Sequence, residues 1–295
     1  MRDYICSRKG CGYTQLPGGN RLQLTVMPTA FCEGRCPFCV AAAGRNDKSR
    51  LELAKLERLL QEDELRRILR GVSISGGEPF TDVGLLNEIL EMVFDLCGQD
   101  TEVAINTNGC GISELGRLKK FSLLDAVHIS RHHYRDDRNA AYFGCPVPTK
   151  QDLKEMMDSV AVYDRDVFVL NCMLLRDGIG TAGEVRRYFE HAVEIGIKKA
   201  ALITVMPVNA YAKARRISYR KVLWPEDGTL LYTQDFQDYD HCFCQDGIYV
   251  SANGSLLSFY GRETSPLPGS YVRGLVFGPD GCLRTGFGGE VLWKT

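Results

Sequence analysis

An excess of charge of one sign is missing from this chain: 36 Lys and Arg stand against 37 Asp and Glu, for a formal net charge of −1 over 295 residues. Duplex-binding proteins usually carry a basic domain or stripe, so no nucleic-acid partner is expected. Long apolar runs are missing too. No window reaches the 18 or so apolar residues of a membrane span, and Met1-Arg2-Asp3-Tyr4-Ile5-Cys6 lacks the apolar core of a secretion signal. Neither a membrane partner nor export is expected, and the expected location is the cytoplasm. Repeats of fixed period and low-complexity tracts are also absent, which argues against a solenoid or a disordered chain. What remains, 44% hydrophobic and 25% charged residues, is the composition of an ordinary globular protein. The length suits one large domain or two of common size, with a core of corresponding extent.

Cysteine is the residue type in excess, with 12 copies spread over both ends and the middle. With no oxidising compartment implied, metal binding or thiol chemistry is a better use for them than a disulfide framework. Cys97, Cys110, Cys145 and Cys172 fall in helix or strand patterns, where a thiol is commonly a small buried hydrophobe.

Between residues 20 and 210 an apolar run of strand type is followed, again and again, by an amphipathic stretch. The runs are 22–27, 72–75, 103–106, 126–130, 167–173 and 200–206, each rich in Val, Ile or Leu as buried parallel strands are. Leu53, Leu56, Leu59 and Leu60 share a helical face, as do Leu85, Leu86, Ile89, Leu90 and Val93, with Thr81 placed to cap the second helix. Val185, Tyr188, Phe189, Ala192 and Val193 form another face, which Gly196 should stop. Six alternations predict a parallel α/β architecture, a partial barrel fitting the count better than a closed eight-stranded one; a doubly wound sheet has the same periodicity. Beyond Met206-Pro207 the texture changes to Gly, Pro and Asp with short β-type pieces and turn signals at Asn253-Gly254 and Asp280-Gly281. The predicted layout is a short N-terminal segment (1–19) packing near the barrel, the barrel (20–210) and a small β-rich C-terminal extension (211–295).

The segment richest in chemistry is Cys32-Glu33-Gly34-Arg35-Cys36-Pro37-Phe38-Cys39, directly after the first strand. Three thiols at spacings of four and three can converge from one loop on a metal centre. A structural zinc site needs four protein ligands, and the nearest further thiols are Cys6 and Cys11, well upstream. Three thiolates and an open fourth position suit a [4Fe–4S] cluster whose fourth iron binds a small molecule; a zinc knuckle is the alternative at this point. After the second strand comes Ser75-Gly76-Gly77-Glu78-Pro79, a glycine turn expected to expose backbone groups and to set a carboxylate at the strand's C-terminal end. After the third comes Asn106-Thr107-Asn108-Gly109, at the same edge, where barrel active sites assemble.

This combination resembles the radical S-adenosylmethionine (SAM) superfamily over residues 20 to 210. The resemblance implies a partial (β/α)6 TIM-type barrel, with Cys32, Cys36 and Cys39 holding three irons of a [4Fe–4S] cluster and SAM chelating the fourth. It implies that Gly76, Gly77 and Glu78 meet the methionine amine, Phe38 the adenine, and Ser130 the ribose or methionine end. Met206 matches a position that meets adenine through its backbone, and Thr107, Asn108 and Asn171 carry over as further cofactor contacts. The implied chemistry is reductive cleavage of SAM to a 5′-deoxyadenosyl radical that takes hydrogen from a small-molecule or peptide substrate. Hydrogen on an unactivated carbon is beyond acids and bases at neutral pH, which is why such work falls to a cofactor. A one-electron donor such as flavodoxin or ferredoxin is the implied partner.

Residues 130–139 follow the fourth strand, and Arg131, His133 and Tyr134 are candidates there for substrate contact or hydrogen donation, against the reading of a solvated helix start. Lys213, Arg215, Arg216, Arg220 and Lys221, interleaved with Tyr211 and Tyr219, read first as a solvated face and second as a grip for an anionic substrate or a peptide leader. Cys242-Phe243-Cys244 resembles the entry to auxiliary-cluster extensions of the SPASM and twitch type. The later cysteines of those extensions are lacking here except for Cys282. Cys6, Cys11, Cys242 and Cys244 are therefore candidate ligands for a second iron–sulfur or zinc site. Two other functions stand beside the main reading. One is an activase that installs a glycyl radical on a partner protein, for which the tail is longer than needed. The other is a non-catalytic cysteine-rich metal-binding module, which has no need of the Gly-Gly-Glu-Pro and Thr-Asn-Gly turns.

Overall fold

The structure, a computed structural model, describes residues 22–41, 46–223, 237–242, 247–252, 255–260 and 274–294, with backbone alone for 223, 237–242 and 247–252. The strands are β1 (Leu22–Val26), β2 (Leu69–Ile74), β3 (Glu102–Thr107), β4 (Ala126–Ser130), β5 (Phe168–Leu174), β6 (Lys199–Thr204), β7 (Gln237–Cys242), β8 (Gly247–Ala252), β9 (Ser255–Tyr260), β10 (Leu275–Phe277), β11 (Cys282–Arg284) and β12 (Val291–Lys294). The helices are α1 (Leu53–Gln61), α2 (Asp63–Ile68), α3 (Val83–Leu96), α4 (Asp136–Phe143), α5 (Lys150–Ser159), α6 (Ala182–Ile195), α7 (Ala210–Arg215) and α8 (Tyr219–Leu223). All six expected strands of the repeat are present. Between β3 and β4 the connection holds 3-10 turns (Ile112–Arg117 and Phe121–Leu123) in place of an α-helix. Among the described residues no helix is long and apolar enough to cross a membrane.

The chain divides into two compact units. The first comprises residues 1–35, 40–127 and 266–295. Its strand order is β12-β11-β10-β1-β2-β3; β10, β1, β2 and β3 run parallel, and β11 and β12 are antiparallel additions. In β1 the burial alternates, with Leu22, Leu24 and Val26 inside and Gln23 and Thr25 half-buried. The fully buried Leu56 and Leu60 of α1 and Leu86, Ile89, Leu90 and Val93 of α3 complete this core. Each such side chain contributes about 1.5–3 kcal/mol by leaving water. The cap of α3 is Asp82, which accepts the Leu85 N–H at 3.0 Å, and not Thr81 as the sequence suggests. Thr81 is drawn one turn back, its hydroxyl donating to the Glu78 carbonyl at 2.7 Å.

The second unit comprises Cys36–Cys39 and residues 128–265. Its strand order is β4-β5-β6-β9-β8-β7; β5, β6 and β9 run parallel, and β9, β8 and β7 form an antiparallel meander. Near-continuous burial along β5 and β6 is what strands covered on both faces require. Thr149 opens α5 with a reciprocal capping box to Asp152, and Gly196, in the left-handed region at φ 96°, ends α6 where the sequence places its stop.

Candidate functional site

In the first unit the site is built where the chain leaves β1. Residues 27–32 run beside the Gly-Gly-Glu-Pro turn, and the two are laced by backbone bonds. Ser75 N–H donates to the Val26 carbonyl at 2.9 Å, Gly77 N–H to Thr29 at 3.0 Å and Glu78 N–H to Phe31 at 2.8 Å. The turn therefore spends these N–H groups on the segment that carries Cys32, where the sequence suggests them exposed. Both glycines are dictated by this contact. Gly76 sits at φ 122°, with room for no Cβ beside Met27; a Cβ on Gly77 would overlap the Phe31 carbonyl oxygen and lie 2.7 Å from that of Thr29.

Glu78 is 1% exposed, and its carboxylate joins the end of β2 to the end of β3. One oxygen accepts the Phe80 N–H at 3.1 Å and the Thr107 hydroxyl at 2.7 Å; the other accepts the Asn108 N–H at 2.7 Å. Burial still dominates, pushing this carboxyl from 4.5 up to about 7 against the pull of the three donors. Thr107 in turn accepts the Gly109 N–H, and the Asn108 side-chain oxygen accepts the Cys110 N–H at 2.7 Å. That second bond fixes the Asn108 amide so that its NH2 donates to Cys32 Sγ at 3.7 Å. Gly34 N–H donates to the same sulfur at 3.3 Å. Burial, with smaller contributions from Glu78 and Glu33, holds the free Cys32 thiol up at about 11. A bare thiolate is thus disfavoured there. A thiolate bound to iron has its charge met by the metal and its lone pairs met by two N–H donors, so this sulfur fits a cluster ligand.

In the second unit the turn Cys36–Cys39 is closed by the Cys39 N–H donating to the Cys36 carbonyl at 3.1 Å. Phe38, 5% exposed, packs with Tyr142, Leu175, Val205 and Ala212, with Cys36, Met173 and Tyr211 alongside. His132 meets it edge-on at 5.0 Å between ring centroids. Burial lowers His132 to about 3, so the ring is neutral; the Met173 N–H donates to Nδ1 at 3.3 Å, which leaves the proton on Nε2. Ser130 ends β4 half-buried; the Asn171 carbonyl accepts the Arg131 N–H, and its side-chain oxygen lies 3.2 Å from His128 Nδ1. Met206 stands two residues past the end of β6, its carbonyl accepting the Val208 N–H.

Arg131 points inward and is 1% exposed. Its guanidinium donates to His191 Nε2 at 2.8 Å, to the carbonyls of Pro148 at 3.0 Å and Tyr134 at 3.2 Å, and to the Asp136 carboxylate, while the Tyr188 hydroxyl donates to its carbonyl. Accepting from Arg131 requires an unprotonated His191 Nε2, and burial, aided by Arg131, lowers that ring to about 4. His133 Nδ1 accepts the Arg135 N–H, and the Tyr134 ring lies 4.5 Å from the His133 ring. The arginine is thus a brace for the loop that carries His132, a residue passed over in the sequence, where an Arg and a His side by side read equally as substrate contacts.

Cys32, Cys36 and Cys39 are half-buried and are not joined in disulfides. Among the described residues no three His, Cys, Asp or Glu side chains are gathered to hold one metal ion. A cluster spreads its thiolates over separate irons and needs no such cage. Cys6, Cys11 and Cys244 lie outside the described residues, Cys242 ends β7, and Cys282 is buried in β11.

Parallel β/α repeats with three thiols after the first strand define an α/β protein with a cysteine-bearing loop, and the comparisons narrow the class. Residues 26–213 match the Radical SAM superfamily, and the chain belongs to that superfamily. It is accordingly an enzyme whose cofactors are a [4Fe–4S] cluster and SAM, with the α/β fold of parallel strands and a β-rich C-terminal part expected of it. A GTP 3′,8-cyclase of Mycobacterium sp. (strain KMS) is 33% identical over 129 residues, 41% of this chain and 33% of that protein. The GTP 3′,8-cyclase of Lactiplantibacillus plantarum is 26% identical over 204 residues, 65% of this chain and 56% of its own. The match thus spans between a third and somewhat over half the length of these relatives. Among solved structures, Streptococcus suis SuiB bound to S-adenosylmethionine aligns with a TM-score of 0.60 at 17% identity, covering 90% of this chain and 60% of SuiB. SuiB bound to precursor peptide SuiA gives 0.57 at 14% identity, covering 90% and 59%. At such identity the likeness is one of fold.

Proposed function

We propose that Cys32, Cys36 and Cys39 hold the [4Fe–4S] cluster and that the enzyme takes a hydrogen atom from a small-molecule or peptide substrate. The observation that carries this reading is Cys32, whose sulfur receives two N–H donors in a half-buried setting that disfavours the free thiolate. When bound, the cluster supplies the electron for reductive cleavage of SAM, and through it a 5′-deoxyadenosyl group able to abstract hydrogen. The protein's share is placement and shielding. Gly76, Gly77 and Glu78 are assigned to the amine end of SAM, Phe38 to adenine and Ser130 to the ribose or methionine end, with Thr107, Asn108, Asn171 and Met206 as further contacts. Because the Glu78 carboxyl is committed to three donors, it serves the amine end chiefly by fixing the turn. Asn108 sets the charge balance at Cys32, since hydrogen bonds to sulfur tune the potential of such a cluster. The buried aromatic set around Phe38 keeps water from the second part of the loop, and water exclusion limits side reactions of a reactive intermediate.

The test is iron and sulfide content after anaerobic reconstitution, taken with 5′-deoxyadenosine formation under dithionite, in wild type and in the triple variant Cys32→Ala, Cys36→Ala, Cys39→Ala. Loss of about four irons and of all cleavage is expected. Retained cleavage overturns the ligand assignment. A remainder of about four irons in the variant establishes a second cluster and turns attention to Cys6, Cys11, Cys242 and Cys244. The GTP 3′,8-cyclase relatives make GTP the first small molecule to supply, with flavodoxin or ferredoxin as donor. Deuterium moving from labelled GTP into 5′-deoxyadenosine supports the small-molecule arm; its absence leaves the peptide arm to be tried in the same assay.

A further inference from the structure

Asn209 performs two tasks with one amide. Standing at the N-cap of α7 in extended conformation, its side-chain oxygen accepts the Ala212 N–H at 2.9 Å. That bond fixes which end of the amide is which, so the other end is the NH2, and it donates to the Pro37 carbonyl at 2.8 Å, 172 residues away in sequence. Pro37 lies between Cys36 and Cys39, in a turn closed by a backbone bond from Cys39 to Cys36.

The support behind Asn209 is firm. Ala212 is fully buried in the Phe38 cluster, and Tyr211 lies with its ring 6.5 Å from that of Phe38. The far end of α7 is anchored to the loop after β5. There Arg176 N–H donates to the Arg215 carbonyl at 2.9 Å, and Arg215 Nε donates to the Asp177 carboxylate at 2.7 Å. The Arg215 guanidinium also lies 4.1 Å over the Tyr211 ring. An anchored helix thus presents one donor to the middle of the Cys36–Cys39 turn.

We infer that Asn209 is a positioning residue that fixes the spacing and orientation of Cys36 and Cys39 from the segment after β6. The inference rests on the reading that these two cysteines hold the cluster. With the donor gone, the Pro37 carbonyl loses the bond that ties the middle of the turn to α7, and both thiolates gain freedom.

Three variants separate the two tasks. Asn209→Ser and Asn209→Asp keep an oxygen to cap α7 and lose the donor to Pro37; Asn209→Ala loses both. In reconstituted holoenzyme the serine and aspartate variants are expected to match wild type in thermal midpoint. Their reduced-cluster EPR line shape should change, and cluster loss to a chelator should run about three- to tenfold faster, the factor a single hydrogen bond is worth. The alanine variant is expected to add a lower thermal midpoint. Wild-type line shape and wild-type rate of cluster loss in the serine and aspartate variants together overturn the inference. If the triple cysteine variant retains its cluster, the failure belongs to the ligand assignment and not to Asn209.

Discussion

Replacing Glu78 with Gln tests which of two opposed effects controls the knot between β2 and β3. Three donors at 2.7–3.1 Å favour the charged carboxylate, while near-complete burial opposes it. Burial is the larger, and the carboxyl rises from 4.5 to about 7. The sign of the consequence follows from proton counting. Between these two values the folded chain holds a proton that the unfolded chain has already released, so stability falls as pH rises from about 4.5 to about 7 and is flat above. A displacement of that size corresponds to on the order of 3 kcal/mol. Gln has no titration there. Its amide carbonyl can accept from Phe80 and Thr107, which sets the NH2 against the Asn108 N–H, a fixed cost of about 1–3 kcal/mol independent of pH. The measurement is urea unfolding of the reduced, cluster-free chain, wild type and Glu78→Gln, from pH 5 to pH 8. The advantage of wild type over the variant should shrink steadily to pH 7 and then level, a relative shift of about 1–2 M in midpoint at the slopes usual for small domains. A difference that is flat with pH, or one that grows, refutes the reasoning. In that case the three donors hold the carboxylate ionised and burial is not the dominant effect.

Gly77→Ala sets a Cβ into the Phe31 carbonyl and should displace the segment leading to Cys32, so iron uptake on reconstitution should fall well below wild type. Gly84→Ala, where the nearest atom is the Asp82 carboxylate oxygen at 3.4 Å, is the tolerated control, and equal iron content in both variants contradicts the close-approach argument. Arg131→Ala should cost on the order of 3 kcal/mol, because it strands the buried acceptor at His191 and the part-buried carbonyls of Pro148 and Tyr134; Asp136, half-exposed, returns to water and adds little. Arg131→Lys should recover only part of that in urea unfolding, since an ammonium cannot span the fork of acceptors. A lysine variant of full stability that fails in catalysis shows Arg131 facing substrate instead.

The order of strands and helices was legible because each is written in a local period, and Leu22, Leu24 and Val26 or Val185, Tyr188 and Ala192 mark their faces whatever else the chain does. The change of texture after Met206 was legible for the same reason, but the destination of the tail was not. β9 pairs in parallel with β6, and β10 pairs in parallel with β1, joining strands more than 50 and 200 residues apart, and no local pattern names a distant partner. The site divides along the same line. Thiols at fixed spacing and a Gly-Gly-Glu-Pro turn announce themselves because the chemistry admits few residue types. The hydrogen bonds that tie them into the fold are carried by residues whose type alone says little. Asn108 reaches Cys32 across 76 positions, and Asn209 reaches Pro37 across 172. An asparagine before a short helix reads as a cap, and here it is one; that its second group also holds the cysteine turn depends on where α7 is packed, a matter settled by Phe38, Ala212 and Tyr211 together. Residues that bear the chemistry are constrained by kind, whereas residues that aim it are constrained by position, and position exists only once the chain has folded.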